Sequence, residues 1–264
     1  MAALELTGRR RAVVLGASNA SRGLARLAAV LRARAGGPVD LFVAAGHGRA
    51  YGVTSRVWAR RLPSILACGI WDALDCRAEE AAGLPPAALV TDVGNEILYG
   101  LGPEQVAMGV RESVSRLADR GCRVAITALP TASIAGVGSL RLRLLKTVFV
   151  PRCRLTLAEL TTSAARLDDL LRDIARAHDA AVIEQPGDWY GFDAIHVRRQ
   201  RLDDLWHAAC DAWGWERPVA PPRPTGRTWP ALHSRAAEVR ALGRIMLHAR
   251  QPAVDTDSLR VWLH

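Results

Sequence analysis

Five short apolar runs, each closed by small or turn-forming residues, limit what this chain can fold into more than any other feature. They are AVVLG at 12–16, VDLFVAAG at 39–46, AALVTDVG at 87–94, CRVAITALP at 122–130 and AAVIEQP at 180–186. None alternates strictly between apolar and polar residues, which is the texture of strands covered on both faces. Helix-like segments lie between them. Leu24, Leu27, Ala28 and Leu31 recur at helical spacing before Gly36 and Gly37 end the turn. A further helix is predicted from Pro103, a suitable first-turn proline, to Gly121. Residues 131–179 are long for one crossover and read as two helices, one around SLRLRLLKTVF and one from Thr156 to about His178, with Pro151 breaking between them. This alternation predicts an α/β fold built on a parallel, doubly wound sheet, with functional groups gathered at the carboxyl ends of the strands.

The texture changes after Trp215. Pro218, Pro221, Pro222, Pro224 and Pro230 crowd a stretch that can continue neither a helix nor a central strand. Residues 1–216 are therefore expected to form the main α/β domain, and 217–264 a Pro-rich linker followed by a helical extension. In that extension Leu232, Val239, Leu242, Ile245 and Met246 form an apolar stripe on a predicted basic helix carrying Arg235, Arg240 and Arg244. The stripe suits docking on the chain's own core or on a second subunit, a homo-oligomer; membrane-surface binding would want more aromatic anchors.

Charge and cysteine content narrow the function classes. The formal charge of +9 in 264 residues comes almost wholly from arginine, Lys146 being the one lysine, and it is spread along the chain. A nucleic-acid groove would show a concentrated basic stripe interleaved with aromatics, and none is present. The five cysteines lack CxxC spacing and several lie in apolar runs, which suits reduced thiols rather than disulfides or a zinc site. With no apolar stretch ahead of the N-terminal arginines and no run of eighteen apolar residues, neither a signal peptide nor a membrane span is expected, and a cytoplasmic setting is.

The residues just past each strand carry the chemistry. Ser18 and Asn19 come after the first; Gly46, His47, Gly48 and Arg49 after the second; Gly94, Asn95 and Glu96 after the third. After the fifth comes DWYGFDAIHVRR, with Asp193 and His196. A serine, a histidine with a carboxylate three residues away, and amide donors are the parts of an acyl-transfer site. A serine hydroxyl needs an imidazole to take its proton, and the imidazole needs a carboxylate to fix its tautomer. Donors already aimed at the oxyanion contribute roughly 3 kcal/mol each. Arg49 could hold an anionic substrate group by a two-pronged contact. Plainer readings stand beside these. Ser18 or Asn19 could simply cap the following helix. His47 could bond locally in its glycine-rich turn, Trp189 and Tyr190 could be core or a platform for a sugar or acyl group, and the remaining histidines, His264 among them, could sit on solvated faces. GASNASRG has neither a P-loop lysine nor a GxGxxG rhythm, and the first strand does not end in the aspartate and histidine of a metallophosphoesterase.

Taken in order, these blocks resemble the SGNH or GDSL hydrolases, serine esterases and lipases on a flavodoxin-like three-layer sheet. Gly16-Ala17-Ser18-Asn19 stands at the family's Gly-Asp-Ser-Leu block, keeping glycine and serine. Gly46, with Gly48 as competitor, stands at the oxyanion glycine. Asp92-Val93-Gly94-Asn95-Glu96 stands at Gly-x-Asn-Asp, keeping the asparagine, and Asp193-Ala194-Ile195-His196 meets Asp-x-x-His in full. The resemblance spans about residues 11–215. It implies a three-layer α/β/α fold on a five-stranded parallel sheet and ester hydrolysis through an acyl-serine. Ser18 is the implied nucleophile, His196 the base and then acid, Asp193 its orienter, and Asn95 with Gly46 or Gly48 the oxyanion site. No cofactor or metal is implied. The substrate class is a small-molecule ester, with acylated carbohydrate and lipid both open. The contrasting expectations are a non-catalytic binding protein on the same fold and an arginine-driven nucleic-acid binder.

Overall fold

A computed structural model describes residues 8–57, 60–78, 84–136, 138, 153–191, 194–216, 238–241, 244–248 and 251–264, with backbone alone for 57, 60, 238–241 and 244–248. The five apolar runs are all strands: β1 (Arg10–Leu15), β2 (Val39–Ala44), β5 (Ala87–Val90), β6 (Arg123–Thr127) and β7 (Ala181–Ile183), with a short pair β3 (Ser55–Val57) and β4 (Arg60–Leu62) inserted after β2. The helices are α1 (Ser18–Arg34), α2 (Ile70–Asp75), α3 (Asn95–Leu98), α4 (Pro103–Asp119), α5 (Thr131–Ala135), α6 (Leu157–Ala177) and α7 (Leu202–Ala212). Thr156 caps α6 in a capping box with Glu159, as the sequence invites. The helix expected around SLRLRLLKTVF lies outside the described residues.

The strands β2-β1-β5-β6-β7 form a parallel core in that spatial order. Successive residues of β1 face opposite ways, and both ways are covered. Val14 joins Leu24, Leu27 and Leu31 of α1 and Leu205 and Trp206 of α7. Val13 and Leu15 join Val110 and Val114 of α4, Leu167 and Leu171 of α6, and Ile70 and Leu74 of α2. That is why no polar alternation appears in the sequence. Gly23 lets α1 approach α7, since a Cβ there would stand 2.6 Å from Trp206 Cζ2.

Two expectations are corrected. Among the described residues the main sheet has seven strands, not five: β11 (Leu259–Leu263) adds parallel to β2, and β10 (Val254–Asp255) runs antiparallel to β11. The expected C-terminal helix is instead β8 (Glu238–Ala241) and β9 (Arg244–His248), an antiparallel pair that joins β4 in a second, four-stranded sheet. Its sequence explains the error. Val239 and Ala241, then Ile245 and Leu247, alternate with polar or flexible residues around Gly243, a hairpin rhythm that also passes for a helical stripe. Leu232, Arg235 and Leu242 lie outside the described residues, so the described part of the extension is strand.

Chain order places a switch point at β1. The chain leaves β1 for β2 on one side and later returns to β5 on the other, which opens a crevice at the carboxyl ends of β1 and β5.

Candidate active site

Ser18 sits in that crevice. The Gly16 N–H donates to the Ala44 carbonyl at 3.0 Å and the Thr91 N–H to the Leu15 carbonyl at 2.9 Å, so β1 stays attached to both neighbours up to the turn. A Cβ on Gly16 would lie 2.8 Å from Thr91 Cγ2, so this close approach requires glycine. Ser18 is the first residue of α1, and the cap position is Ala17, which offers no side-chain hydrogen bond. The capping work falls to Asp92, reached from β5: its Oδ2 accepts the Ala17 and Ala20 N–H groups at 2.9 and 3.0 Å. Neither Ser18 nor Asn19 is the cap that the sequence allowed.

Asp92 adopts a left-handed backbone (φ 58°), and Gly94 follows at φ 109°. These two bends turn the chain so that Asn95 opens α3 within the same cleft as Ser18. The Asn95 amide stands 3.5 Å from the Asp92 carbonyl. Glu96, next in sequence, is buried; one of its oxygens accepts the Tyr51 N–H while Oε2 has no partner among the described residues, and burial raises its pKa against the pull of its backbone hydrogen bonds. The Tyr51 hydroxyl lies 2.9 Å from the Leu15 carbonyl and 2.8 Å from the Thr91 carbonyl, fastening the ends of β1 and β5 together. Burial, with Asp92 and Glu96 nearby, pushes that phenol well above its ordinary pKa, so it remains a neutral donor.

His196 is half-buried, on a loop that leaves and rejoins the body where Tyr190 pairs with Val197 and the Arg198 N–H meets the Trp189 carbonyl at 2.8 Å. Asp193 lies outside the described residues. Asn19 holds this loop: its Nδ2 donates to the Ile195 carbonyl at 3.2 Å, and its Oδ1 accepts the Val197 N–H at 2.9 Å. The same Nδ2 donates to Asp92 Oδ1 at 2.7 Å. Among the described residues this carboxamide links the Ser18 turn to the His196 loop.

The second strand end behaves differently. Gly46 and Gly48 do not line the cleft that holds Ser18 and Asn95. The Gly46 carbonyl accepts the Arg49 N–H at 3.0 Å, and the Gly48 carbonyl accepts the Tyr99 hydroxyl at 2.7 Å. Arg49 is corrected: it is 1% exposed, its guanidinium donates to the Pro63 and His264 carbonyls, and it does not reach the cleft. A cation so enclosed binds its own chain rather than a substrate anion. His264, expected on a solvated face, is half-buried beside it, and burial and Arg49 lower its pKa to about 4.

The cleft has a volume of about 80 Å³ and opens to solvent. Ile97, Leu98, Leu129, Ile134, Leu160 and Ala164 make its far wall. Its other polar groups are engaged with one another: Thr127 with Thr91 at 3.1 Å, Gln185 with the Ala128 carbonyl, and Tyr190, which is buried, with Gln185 at 2.6 Å. Trp189 packs against the α1 and α7 core and forms no part of the cleft lining. Among the described residues no cluster of three or more His, Cys, Asp or Glu has metal-binding geometry, and no helix is long and apolar enough to cross a membrane. Sequence reasoning placed Asp92 in the third block without this role, and it missed Tyr51 and the contacts of Asn19; the polar residues bracketing two strand ends were the available signal.

No family model matches the chain, and no curated protein matches it in sequence. Among solved structures the fold is similar to Est24, a carbohydrate acetylesterase from Sinorhizobium meliloti, with a TM-score of 0.51 at 14% identity over 78% of this chain and 99% of that one. A carbohydrate acetylesterase family member from the same organism gives 0.50 at 13% identity, over 77% of this chain and 97% of that one. At such identities the likeness speaks to architecture alone. The chain has the fold of the SGNH hydrolases.

Proposed function

We propose that this protein hydrolyses esters through Ser18. The observation that carries the reading is that Ser18 and Asn95 share one cleft at the switch point while the segment bearing His196 is tied to the Ser18 turn. In this reading the Ser18 hydroxyl attacks the ester carbonyl and gives its proton to the His196 ring, which Asp193 orients. The tetrahedral oxygen receives the Asn95 amide and the Ser18 N–H at the positive end of α1, without a donor from Gly46 or Gly48, whose turn lies outside the cleft lining. Collapse expels the alcohol, which takes the proton from His196 and leaves the acyl group on Ser18. Water, deprotonated by the same imidazole, then releases the acid and restores the serine.

The acyl group is the part of the substrate that suits the cleft wall. With Thr127, Gln185 and Tyr190 already engaged, that wall offers carbon rather than free hydrogen-bonding groups. The test is covalent labelling with a fluorophosphonate beside turnover of a short-chain aryl ester. Wild-type protein is expected to take up one label per chain and to turn over the ester; Ser18→Ala is expected to do neither. Labelling that persists in Ser18→Ala moves the nucleophile elsewhere. A wild-type chain that never labels leaves a non-catalytic binding protein with the same cleft.

A further inference from the structure

We propose that Asn19 is a positioning residue for the base, setting where the His196 loop stands relative to Ser18. The inference rests on the reading of Ser18 as nucleophile. Asn19 follows Ser18 directly in the first turn of α1, so its main chain moves with the nucleophile. Its side chain reaches 176 and 178 residues ahead and grips the backbone on either side of His196, at the Ile195 carbonyl and the Val197 N–H. A bond on each side fixes both the position of residue 196 and the direction in which its Cα–Cβ bond leaves the chain. One bond would leave the loop free to pivot.

The chemistry admits a carboxamide and little else. Val197 N–H can only donate, and the Ile195 carbonyl and the Asp92 carboxylate can only accept, so the orientation of the amide is settled by its partners. Aspartate at this position would set a carboxylate against the Asp92 carboxylate and the Ile195 carbonyl. Alanine or leucine would break all three bonds. Asn19 is 4% exposed and Val197 fully buried, so water does not replace the bond between them. Asp92 holds the third corner: while Oδ1 takes the Asn19 amide, Oδ2 takes two N–H groups at the start of α1. Helix start, nucleophile turn and base loop are thereby one hydrogen-bonded unit. The sequence lacks the aspartate that the GDSL block carries ahead of its serine, and here Ala17 occupies that place. A carboxylate from β5 and an amide one residue after the serine organise the turn instead.

Two variants test this, Asn19→Ala and the near-isosteric Asn19→Asp, each with fluorophosphonate labelling followed to completion. A purely structural role lowers the number of competent molecules, so the end-point falls while the rate constant per labelled chain stays at the wild-type value. A positioning role leaves the end-point near one label per chain and lowers the rate constant, by about 100-fold for a displacement of roughly 1 Å. On the aryl ester the same variants are expected to lose kcat with KM little changed. The proposal is overturned if either folded variant labels at the wild-type rate constant, or if kcat holds while KM rises. Wild-type protein that fails to label overturns the Ser18 reading itself, which separates the two claims.

Discussion

Asp92 performs three jobs with one carboxylate, and each follows from where its backbone puts it. A left-handed turn after β5 aims the side chain back across the sheet at α1, and three N–H donors converge on it. Asparagine and aspartate tolerate that backbone better than most residues. The rest of the cleft shows the complementary condition, polar groups that already have partners and a wall of aliphatic carbon. A substrate chain lying against Leu98, Ile134 and Leu160 gains by leaving water, at about 0.8 kcal/mol per methylene or roughly fourfold in kcat/KM. Across acetyl, propanoyl and butanoyl esters of one aryl alcohol, kcat/KM is expected to climb by that factor at each step. Leu160→Trp, which fills the wall, is expected to lose more on butanoyl than on acetyl. A wild-type optimum at acetyl would show that the wall does not receive the acyl chain.

At the scale of elements, β11 is the strand that most needs explaining, because it pairs in register with β2 from the far end of the chain. Trp262 stacks on Phe42 with centroids 4.5 Å apart, and Arg260 and Arg9 converge on Asp40. Burial opposes ionisation of that carboxyl, but hydrogen bonds from Arg260 and then Arg9, with their charges, outweigh it and hold the pKa below 3.8. A carboxylate whose pKa is lower folded than unfolded adds stability above the unfolded value and loses it as pH falls through the folded one. Asp40→Asn is therefore expected to cost about 2 kcal/mol at neutral pH, less than a fully enclosed pair because both arginines reach water. The gap in melting temperature between wild type and variant should close as pH drops below about 4. A gap that stays constant down to about pH 2 would mean the clamp is not ionic. This strand also shows what the sequence could not reveal. Its apolar run, LRVWL, is visible, but nothing local says that it extends the main sheet, since its partner lies some 220 positions earlier. The five core strands were legible because a doubly covered strand announces itself locally. Ser18, Asn95 and His196 were legible as ordered blocks. Asn19 and Asp92 look like turn residues until the fold brings β5 and the last loop to them, and Arg49 reads as a ligand until its burial is seen.

For the whole molecule, the C-terminal segment decides how the sheet ends. Without β10 and β11 the outer edge of the sheet would be β2, a six-residue strand buried along its full length. Such an edge offers unpaired backbone groups and apolar side chains together, the combination that invites pairing between chains. Arginine contributes to closing it by stacking as well as by charge, with Arg77 and Arg260 lying 5.2 and 5.1 Å from the Trp262 ring. Much of the basic excess thus has work inside the fold. Arg34, 2% exposed, likewise ties the end of α1 to Asp211 and the Trp215 carbonyl. The crevice that holds Ser18 lies one strand further in, between β1 and β5. A chain ending at residue 250 is therefore expected to melt several degrees lower and to self-associate through β2. Its monomeric fraction is expected still to label at Ser18, because Asn19, Asp92 and Tyr51 draw on no residue beyond 250. Size-exclusion chromatography followed by labelling of the monomer peak measures both. A truncated chain that stays monomeric with an unchanged melting temperature would show that β11 does not guard the edge, and a monomer that folds but cannot be labelled would show that the crevice depends on the outer strands after all.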